Sequence, residues 1–494
     1  MSNYNGRRTP EANLLRLTQW IIHAGMRVLL PSPCIDPYCI CASAEDFLFL
    51  CEHCEKRIRE DGFRDAVTQI KDSMNWLNQR VGAEKPSLDR NAHRPRPVSL
   101  RLASHYAAEI VSGGARPFEG KIVLMVLHFL GDLVPMVEVL NRLGARYEDM
   151  VLVAKPYPYP KRDQISHAMQ VLGVNVHRTT DTMKVETCAH KALSQLVLDG
   201  SRSTKKIVVI EDGGYFAPLL HTPEFSSLIT RCVGIVEQTA KGAKADREAI
   251  PTPQVCILSV AESKFKHRYE APEIGRVTVQ NIGRFVPDVK LSGADAVMFG
   301  FGSVGEHVAY HLNRAFNMGV YVVDSKSDLV LMVAQSRKDI VVQAKRLFKE
   351  LALRQPIALV VGTTGEQSIT RDILLELPDG CILVSTSSDQ VEIDVQALRE
   401  IADGKPEEIE EGVQKYTITS GGKRKQLTLL AEGYPINFYG SESLPNDTSD
   451  PILTLLILCA VELCGTRWKF ENGIDVISVN KITDHYGLVK RILH

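Results

Sequence analysis

Residues 293–326 read GADAVMFGFGSVGEHVAYHLNRAFNMGVYVVDSK, and this stretch decides the fold of the chain. An apolar run, DAVMF, precedes three spaced glycines, Gly300, Gly302 and Gly305. An amphipathic segment and a second apolar run ending at Asp324 follow. A strand, a glycine-rich turn, a helix and a second strand in this order are typical of dinucleotide-binding domains. The stretch therefore predicts a Rossmann unit.

The residue types in this fingerprint suit NAD. Glycines let the backbone approach a pyrophosphate, and a helix that begins at Ser303 and Val304 presents unpaired N–H groups to it. Asp324 can accept hydrogen bonds from the adenosine ribose hydroxyls and would repel a 2′-phosphate. NAD is therefore expected rather than NADP, although Lys326 nearby argues mildly for NADP. A glycine-rich turn with a structural role only is the alternative interpretation.

Similar apolar runs lie on both sides of the fingerprint. KIVLMVLHF (121–129) and KKIVVIED (205–212) predict buried strands, as do PIALVVGTTG and GCILVSTS further on. Segments between them, such as LVPMVEVLNRLG, have helical spacing. Repeated strand–helix units imply parallel sheets with helices on both faces. We therefore predict an α/β chain with two doubly wound parallel-sheet domains.

The 494 residues are too many for one ordinary core, so several domains are expected. We predict a Cys-rich and helical N-terminal extension, a substrate-type domain, a Rossmann NAD-binding domain and a C-terminal tail. Their expected ranges are, in that order, 1–100, 101–274 with 440–478, 275–439 and 479–494.

Charge and hydropathy exclude several classes of partner. Lys plus Arg total 58 against 59 Asp plus Glu, which gives a net charge of −1. This balance provides no electrostatic reason to expect nucleic acid or an anionic membrane. The first residues lack the apolar core of a signal peptide, and the longest apolar runs are too short for a bilayer. A cytoplasmic protein is expected.

A block of cysteines near the N-terminus suggests a structural zinc site. Four thiolates could come from Cys34, Cys39, Cys51 and Cys54, with Cys41 and His53 as alternatives. Buried, reduced cysteines in a small helical module are the other interpretation. The lack of an export signal favours reduced thiols over disulfides.

Several stretches, in order, resemble the S-adenosylhomocysteine hydrolase family. They include VIEDGGYFAPLLHT, GIVEQTAKG, SVAESKFKHRY, VMFGFGSVGEHVA, VEIDV, LLAEGYPINF and the terminal TDHY. The resemblance covers about residue 117 to the C-terminus. It implies tightly bound NAD that transiently oxidises a nucleoside 3′-hydroxyl, so that the 5′ thiol is eliminated and water is added. It also implies two domains that close over the ligand, and a homo-oligomer in which each tail reaches a neighbouring subunit's cofactor.

On the cofactor side, the resemblance implies NAD contacts at positions that this chain shares with the family. Besides the fingerprint glycines and Asp324, these positions are Thr239, Thr363, Thr364, Gly365, Asn437 and, in the tail, Tyr486. Two further threonines of the family are replaced here by Ala240 and Lys241.

On the substrate side, His128 and Asp212 match active-site positions of the family. Without the family, a core histidine is the common interpretation of His128, and Asp212 could organise a tight turn; the family positions and the strand ends favour a functional role for both. Glu262 replaces the family's lysine that hydrogen-bonds the 3′-hydroxyl, and Lys266 replaces the aspartate that pairs with it. We expect this inverted pair to neutralise itself, with Glu262 as a base toward a substrate hydroxyl. A purely structural salt bridge is the alternative.

Other substrate contacts of the family are lost. The adenine-binding threonine is Leu130, the second glutamate of E-E-T-T-T-G is Gln238, and two histidines are Ser388 and Leu444. Ordinary hydrolysis of S-adenosylhomocysteine is therefore not expected. We predict a divergent enzyme that uses bound NAD for transient oxidation of a nucleoside-like substrate. The alternative is an inactive NAD-binding paralogue that acts through partners, including mixed oligomers with a true family hydrolase.

Overall fold

The computed structural model describes residues 99–492, except 156, 158–161, 179–184, 287, 353–355, 388 and 440–443. The predicted N-terminal extension lies outside the described residues, and so does the zinc site predicted at Cys34, Cys39, Cys51 and Cys54. Within the described part of the chain, two sheets carry helices on both faces.

The strands follow the apolar runs of the sequence. In chain order they are β1 (Lys121–Leu127), β2 (Met150–Ala154), β3 (Asn175–Arg178), β4 (Lys206–Glu211), β5 (Cys232–Glu237), β6 (Cys256–Ser259), β7 (Asp295–Phe299), β8 (Gly319–Val323), β9 (Val341–Lys345), β10 (Ile357–Gly362), β11 (Cys381–Ser385), β12 (Glu407–Glu410), β13 (Val413–Ser420), β14 (Lys423–Leu430) and β15 (Gly473–Asp475).

Helices alternate with these strands. They are α1 (Arg101–Ser112), α2 (Leu133–Arg142), α3 (Arg162–Leu172), α4 (Val185–Leu198), α5 (Phe216–Leu220), α6 (Ser226–Ile229), α7 (Ala240–Ala249), α8 (Lys264–Tyr269), α9 (Ala271–Phe285), α10 (Asp288–Leu291), α11 (Ser303–Phe316), α12 (Asp328–Ser336), α13 (Arg371–Glu376), α14 (Val395–Ile401), α15 (Asn446–Cys464), α16 (Ile477–His485) and α17 (Leu488–Ile492). In the described part of the chain, none of them combines the length and apolar character needed to cross a bilayer.

The two sheets share one strand order. The first runs β3-β2-β1-β4-β5-β6-β15, with every pairing parallel. The second runs β9-β8-β7-β10-β11-β14, then β13 and β12. Six strands of each follow the doubly wound order 3-2-1-4-5-6, which confirms the predicted fold class. The second sheet differs at one edge, where β12, β13 and β14 pair antiparallel.

Each sheet is buried on both faces because helices cover it. The β1 side chains from Ile122 to Val126 are fully buried, and they alternate between two hydrophobic clusters on opposite faces. Such strands read as continuous apolar runs rather than alternating ones, which is why the sequence shows them clearly. The apolar helix α15 completes one face of the first sheet.

The strand order places a switch point between β1 and β4 in the first sheet, and between β7 and β10 in the second. The chain leaves adjacent strands in opposite directions there, which opens a crevice at their carboxyl ends. His128 directly follows β1 and Asp212 directly follows β4, while Gly300 and Thr363 follow β7 and β10. The fold therefore brings the predicted residues to the two switch points.

Candidate functional site

His128 and Asp212 form a buried pair at the switch point of the first sheet. The His128 Nε2 atom lies 3.1 Å from Asp212 Oδ2, and the exposed fractions of the side chains are 11% and 2%. The main chain fixes Asp212, since its N–H donates to the carbonyl of Val126 in β1. The two strand ends therefore hold the acid and the imidazole in register.

Lys155 is a third residue of this site, and it was not predicted from the sequence. It follows β2, the next strand of the same sheet, and its ammonium group contacts Asp212 Oδ1 in a fully buried ion pair. Burial alone would lower the pKa of Lys155, but the nearby carboxylates, Asp212 first and then Asp389, together outweigh it and the pKa is raised. Burial would raise the pKa of Asp212, yet Lys155 and then His128 hold it far below its usual range. Lys155 and Asp212 are therefore both charged.

His128 is neutral at physiological pH. Burial lowers its pKa, and the nearby Asp212 carboxylate opposes this only in part. Because Asp212 is an anion that can only accept, Nε2 carries the imidazole proton and Nδ1 the lone pair. The ring stacks on Phe438, with centroids 4.2 Å apart and planes at 22°. A neutral imidazole with a fixed tautomer can accept a proton from a hydroxyl group.

The pair opens into a cleft that residues of both sheets line. From the first sheet and its helices come Leu127, His128, Leu130, Asp132, Leu133, Met136, Asp212, Gln238, Thr239, Lys266, Glu270, Ser449, Ile452 and Leu453. From the fingerprint side come Ile274, Thr386, Asn437, Phe438 and Leu444. Polar groups thus converge in a largely apolar cleft, as in small-molecule sites.

The predicted inverted pair of Glu262 and Lys266 is not present as a pair. The Lys266 ammonium lies 3.1 Å from Glu270 Oε2 and 2.5 Å from the carbonyl oxygen of Gln238. Glu262 instead lies 2.5 Å from the Arg247 guanidinium, at a half-exposed position. The reason is local. α8 begins only at Lys264, so Glu262 lies before the helix and the two residues are not one helical turn apart.

Asp389 connects the second sheet to this site and was also missed. It accepts hydrogen bonds from the hydroxyls of Tyr157 at 2.6 Å and Tyr215 at 2.8 Å, and it forms an ion pair with Lys241. Its φ of 67° is in the left-handed region, which non-glycine residues seldom adopt. These three donors lie on loops and a helix that flank the first sheet. The Asp389 carboxylate therefore connects the two sheets beside the cleft.

The fingerprint glycines fit a dinucleotide for distinct reasons. Gly300 has a φ of 87°, which a residue with a side chain rarely adopts. A Cβ at Gly305 would lie 2.7 Å from Thr363 Oγ1, so only glycine lets α11 pack this closely. A Cβ at Gly302 would have no atom of the described chain within 4 Å. The space that an approaching pyrophosphate needs is therefore open above Gly302.

The start of α11 is tied to the first sheet's helices. Ser303 Oγ lies 2.6 Å from His267 Nδ1 on α8. Val304 packs against the core of the second sheet. Ser303 and Val304 thus stand at the helix N-terminus, as predicted, and their contact with NAD stays a prediction.

Asp324 stands at the end of β8, where a ribose-binding acid is expected. Its Oδ1 accepts from the main-chain N–H groups of Lys326 at 3.0 Å and Ser327 at 2.8 Å. The Lys326 ammonium is paired with Glu366 rather than held as a free cation for a 2′-phosphate. This pairing weakens the argument for NADP.

The loop after β10 is held in place by Glu392. This buried carboxylate accepts from Thr364 Oγ1 at 2.9 Å and from the Gly365 N–H at 2.5 Å. Thr363 Oγ1 donates to the Phe299 carbonyl at 2.9 Å, which ties the loop to the fingerprint strand. Thr363, Thr364 and Gly365 therefore lie beside the glycine turn.

The remaining predicted cofactor residues are split between two places. Thr239 caps α7 and, with Asn437, lines the cleft. Tyr486 lies away from the cleft, where its hydroxyl donates to Glu462 Oε1 at 2.6 Å and its ring packs against Tyr106. A contact between Tyr486 and a neighbouring subunit's cofactor stays a prediction.

The chain is similar to proteins of one known family. A family model described as "S-adenosyl-L-homocysteine hydrolase, NAD binding domain" matches residues 276–443, which include the whole fingerprint. The adenosylhomocysteinase of Thermotoga maritima is 25% identical over 387 residues, covering 77% of this chain and 88% of that protein. The chain is similar to the S-adenosylhomocysteine hydrolase family, and residues 276–443 match that family's NAD-binding domain.

A further relative and a solved structure complete the comparison. The adenosylhomocysteinase of Aeropyrum pernix is 25% identical over 399 residues, covering 80% of this chain and 88% of that protein. Among solved structures, a dipicolinate synthase protein from Bacillus halodurans has a TM-score of 0.38 and 13% identity, covering 70% of this chain and 98% of that one.

The match to the family's NAD-binding domain bears on the cofactor. Residues 276–443 correspond to the family's NAD-binding domain, which supports NAD as the cofactor of this chain. The open space over Gly302 and the strand-end carboxylate of Asp324 fit that assignment. The exact domain boundaries stay a prediction.

Proposed function

We propose that this adenosylhomocysteinase-like protein is an enzyme that uses bound NAD to oxidise, transiently, a hydroxyl-bearing carbon of a nucleoside-like substrate. One observation carries the proposal. A buried charged pair, Lys155 and Asp212, holds a neutral His128 in the wall of a cleft that residues of both sheets line. Neutral imidazole and fixed carboxylate are the groups that the proton transfers of such chemistry need.

The residues of the chain would divide the work as follows. Asp212 orients His128 and accepts a hydrogen bond from the substrate, while His128 Nδ1 takes the proton of the hydroxyl that is oxidised and later returns it. Lys155 is a positioning residue, since it keeps Asp212 ionised without lining the cleft itself. When bound, NAD would supply the two-electron oxidant. The fingerprint glycines, Asp324 and Thr363 would hold it.

The substrate differs from that of the family's usual members. Leu130 and Leu444 line the cleft where the resemblance places an adenine-binding threonine and a histidine. Lys266 and Glu270 form a pair within the same wall. We therefore infer a nucleoside-like molecule with an apolar group on the Leu130 side, and not S-adenosylhomocysteine as the main substrate. Glu262 has no place in this scheme as a base.

The test is single-turnover spectroscopy on the purified full chain. Nucleosides with a 3′-hydroxyl are added, and absorbance at about 340 nm, where reduced nicotinamide absorbs, is followed. The matching 3′-deoxy nucleosides serve as ligand controls. We expect a signal only with the hydroxyl, abolished in Asp212→Asn and His128→Gln and retained in Asp163→Asn, which changes an exposed acid on α3.

Two results would overturn this proposal. One is a flat spectrum across a broad nucleoside panel although extraction shows that NAD is retained. The other is an undiminished signal in Asp212→Asn. A chain that retains no nicotinamide dinucleotide at all would refute the cofactor assignment itself.

One observation favours a second candidate, an inactive NAD-binding paralogue. The contacts of Asp389 with Tyr157, Tyr215 and Lys241 hold the sheets together through side chains of the chain itself. Such a protein would act through its surface, in a homo-oligomer or in a mixed oligomer with a true family hydrolase. The flat spectrum described above, together with co-purification of the hydrolase, supports this candidate.

Cellular location and zinc belong to the proposal as well. We infer a cytoplasmic protein from the sequence, together with a structural zinc ion on the N-terminal cysteines. Fractionation of cells and metal analysis of the purified full chain test these two inferences. Zinc content that is unchanged when Cys51 and Cys54 are both replaced by serine would refute the second.

A further inference from the structure

A second group of buried acids lies behind the catalytic pair. Glu211 ends β4 and Glu237 ends β5, and the two residues are directly opposite each other in the parallel register. Asp246 reaches them from α7. One oxygen atom from each of the three carboxylates lies within 4.8 Å of the other two, and all three residues are fully buried. Like charges that face each other across strands repel, so this arrangement needs a compensating group.

The two glutamates are already bonded by the main chain. Glu211 accepts from the N–H groups of Tyr215, Phe216 and Ala217, at 2.7–3.0 Å. Glu237 accepts from Gly213 and Gly214, and from both the N–H and the hydroxyl of Thr239. These donors explain why two glutamates can be buried. None of them bonds the third acid, Asp246.

Asp246 has no such donors. Neither of its carboxylate oxygens has a hydrogen-bond partner among the residues that the structure describes, although the side chain is fully buried. Arg247 beside it forms its ion pair with Glu262 instead. An unpaired buried carboxylate is strongly unfavourable in an apolar interior. Oxygens of Glu211 and Glu237, which are themselves acceptors, lie within 4.8 Å of it.

The spacing of the three oxygens allows a cation. One oxygen of each carboxylate lies within 4.8 Å of the other two, and two oxygens that are each about 2.3–2.6 Å from Ca²⁺ can be up to about 5 Å apart. The spacing in this group of acids fits a cation.

We propose that Glu211, Glu237 and Asp246 form a binding site for a hard divalent cation of the size of Ca²⁺. Each carboxylate supplies one oxygen. The cation compensates three buried negative charges and fixes the turn from Asp212 to Gly214, because Glu237 bonds that turn directly. The site lies behind the cleft, and its role is to hold Asp212 in position.

The test uses the full chain treated with EDTA and then dialysed. Ca²⁺ and, separately, Mg²⁺ are titrated by calorimetry, and thermal unfolding is measured with and without each ion. We expect one ion per chain and a higher unfolding temperature with it. Asp246→Asn should weaken binding at least about tenfold, because affinity at such sites follows ligand charge. Glu408→Gln, which changes an exposed acid on β12, should leave binding unchanged.

Three results would overturn the proposed cation site. A wild-type chain that binds neither ion overturns the proposal, whether or not the variant folds. Binding of equal strength in Asp246→Asn also overturns it. An Asp246→Asn chain that is more stable than the wild type with calcium present points to trapped protons instead and overturns it too.

Discussion

Replacing Lys155 with methionine tests the central electrostatic claim about the site. The substitution keeps the length and apolar stem of the side chain but removes the charge that faces Asp212. Lys155 is fully buried and the Asp212 side chain is 2% exposed, so water cannot take over the role of the ammonium group. Removing one partner of such a pair typically costs about 3–5 kcal/mol, because the other charge stays buried and unpaired. His128 cannot replace it while neutral.

The assay is urea unfolding of the full chain, followed by circular dichroism and analysed transition by transition because a chain of this size need not unfold in one step. We expect Lys155→Met to lose about 3–5 kcal/mol in the transition of the first sheet. The double variant with Asp212→Asn should be less destabilised than Lys155→Met alone, since no uncompensated charge is left.

Lys205→Met is the matched control. Lys205 also contacts a buried aspartate, Asp149, at 2.6 Å, but its side chain is 24% exposed and Arg202 is a second partner. Its loss should cost at most about 1 kcal/mol. A Lys155→Met variant that is no less stable than this control would refute the assignment of a buried charged pair. The assignment would also be refuted if the double variant lost more stability than the sum of the losses in Lys155→Met and Asp212→Asn.

Three further predictions concern the cofactor, the pH response and the contact between the sheets. Gly302→Val should fold normally, because no described atom lies near the new side chain, but extraction of the purified chain should recover less NAD. Gly305→Val should instead destabilise the chain, because the new side chain clashes with Thr363. The redox signal should be present at neutral pH and vanish as pH falls through the lowered pKa of His128, because a protonated imidazole accepts no proton; a signal that instead fades on raising the pH would contradict this. Asp389→Asn should speed the exchange of bound nucleoside several-fold in a dilution assay, since it removes the charge that pairs with Lys241; an unchanged rate would show that this contact does not limit opening.

The fold was predictable because buried parallel strands have a simple sequence pattern. β1, β4, β7 and β10 are continuous apolar runs, and the glycines after β7 have specific steric roles. The short or polar strands were missed. β12 consists of exposed residues, and β3 has one buried side chain, so neither stands out by hydrophobicity.

The site was predictable only where the chain keeps a family pattern. His128 and Asp212 lie at strand ends that the family resemblance marked, and the structure brings them together. Lys155 ends the run MVLVAK, so a charged residue directly after a buried strand was an available signal. Asp389 gave no such signal, because its role depends on a distant partner, Tyr157, and on a backbone conformation that sequence does not reveal.

The i,i+4 spacing of Glu262 and Lys266 was misleading for a physical reason. Such spacing brings side chains together only when both residues lie within one helix. Ser263 caps α8 by accepting from the Lys266 N–H, so the helix starts after Glu262. A serine followed by charged residues was a visible capping signal that favours this start.

Because Glu366 forms two ion pairs, ionic strength should affect how readily the two sheets separate. Glu366 pairs with Lys244, on a helix of the first sheet, and with Lys326 beside the fingerprint, and all three side chains are partly exposed. Dissolved ions screen exposed charges over about 8–10 Å at physiological concentrations. At high salt concentration the two sheets with their helices should therefore separate more readily. Small molecules should then enter and leave the cleft faster than in dilute buffer.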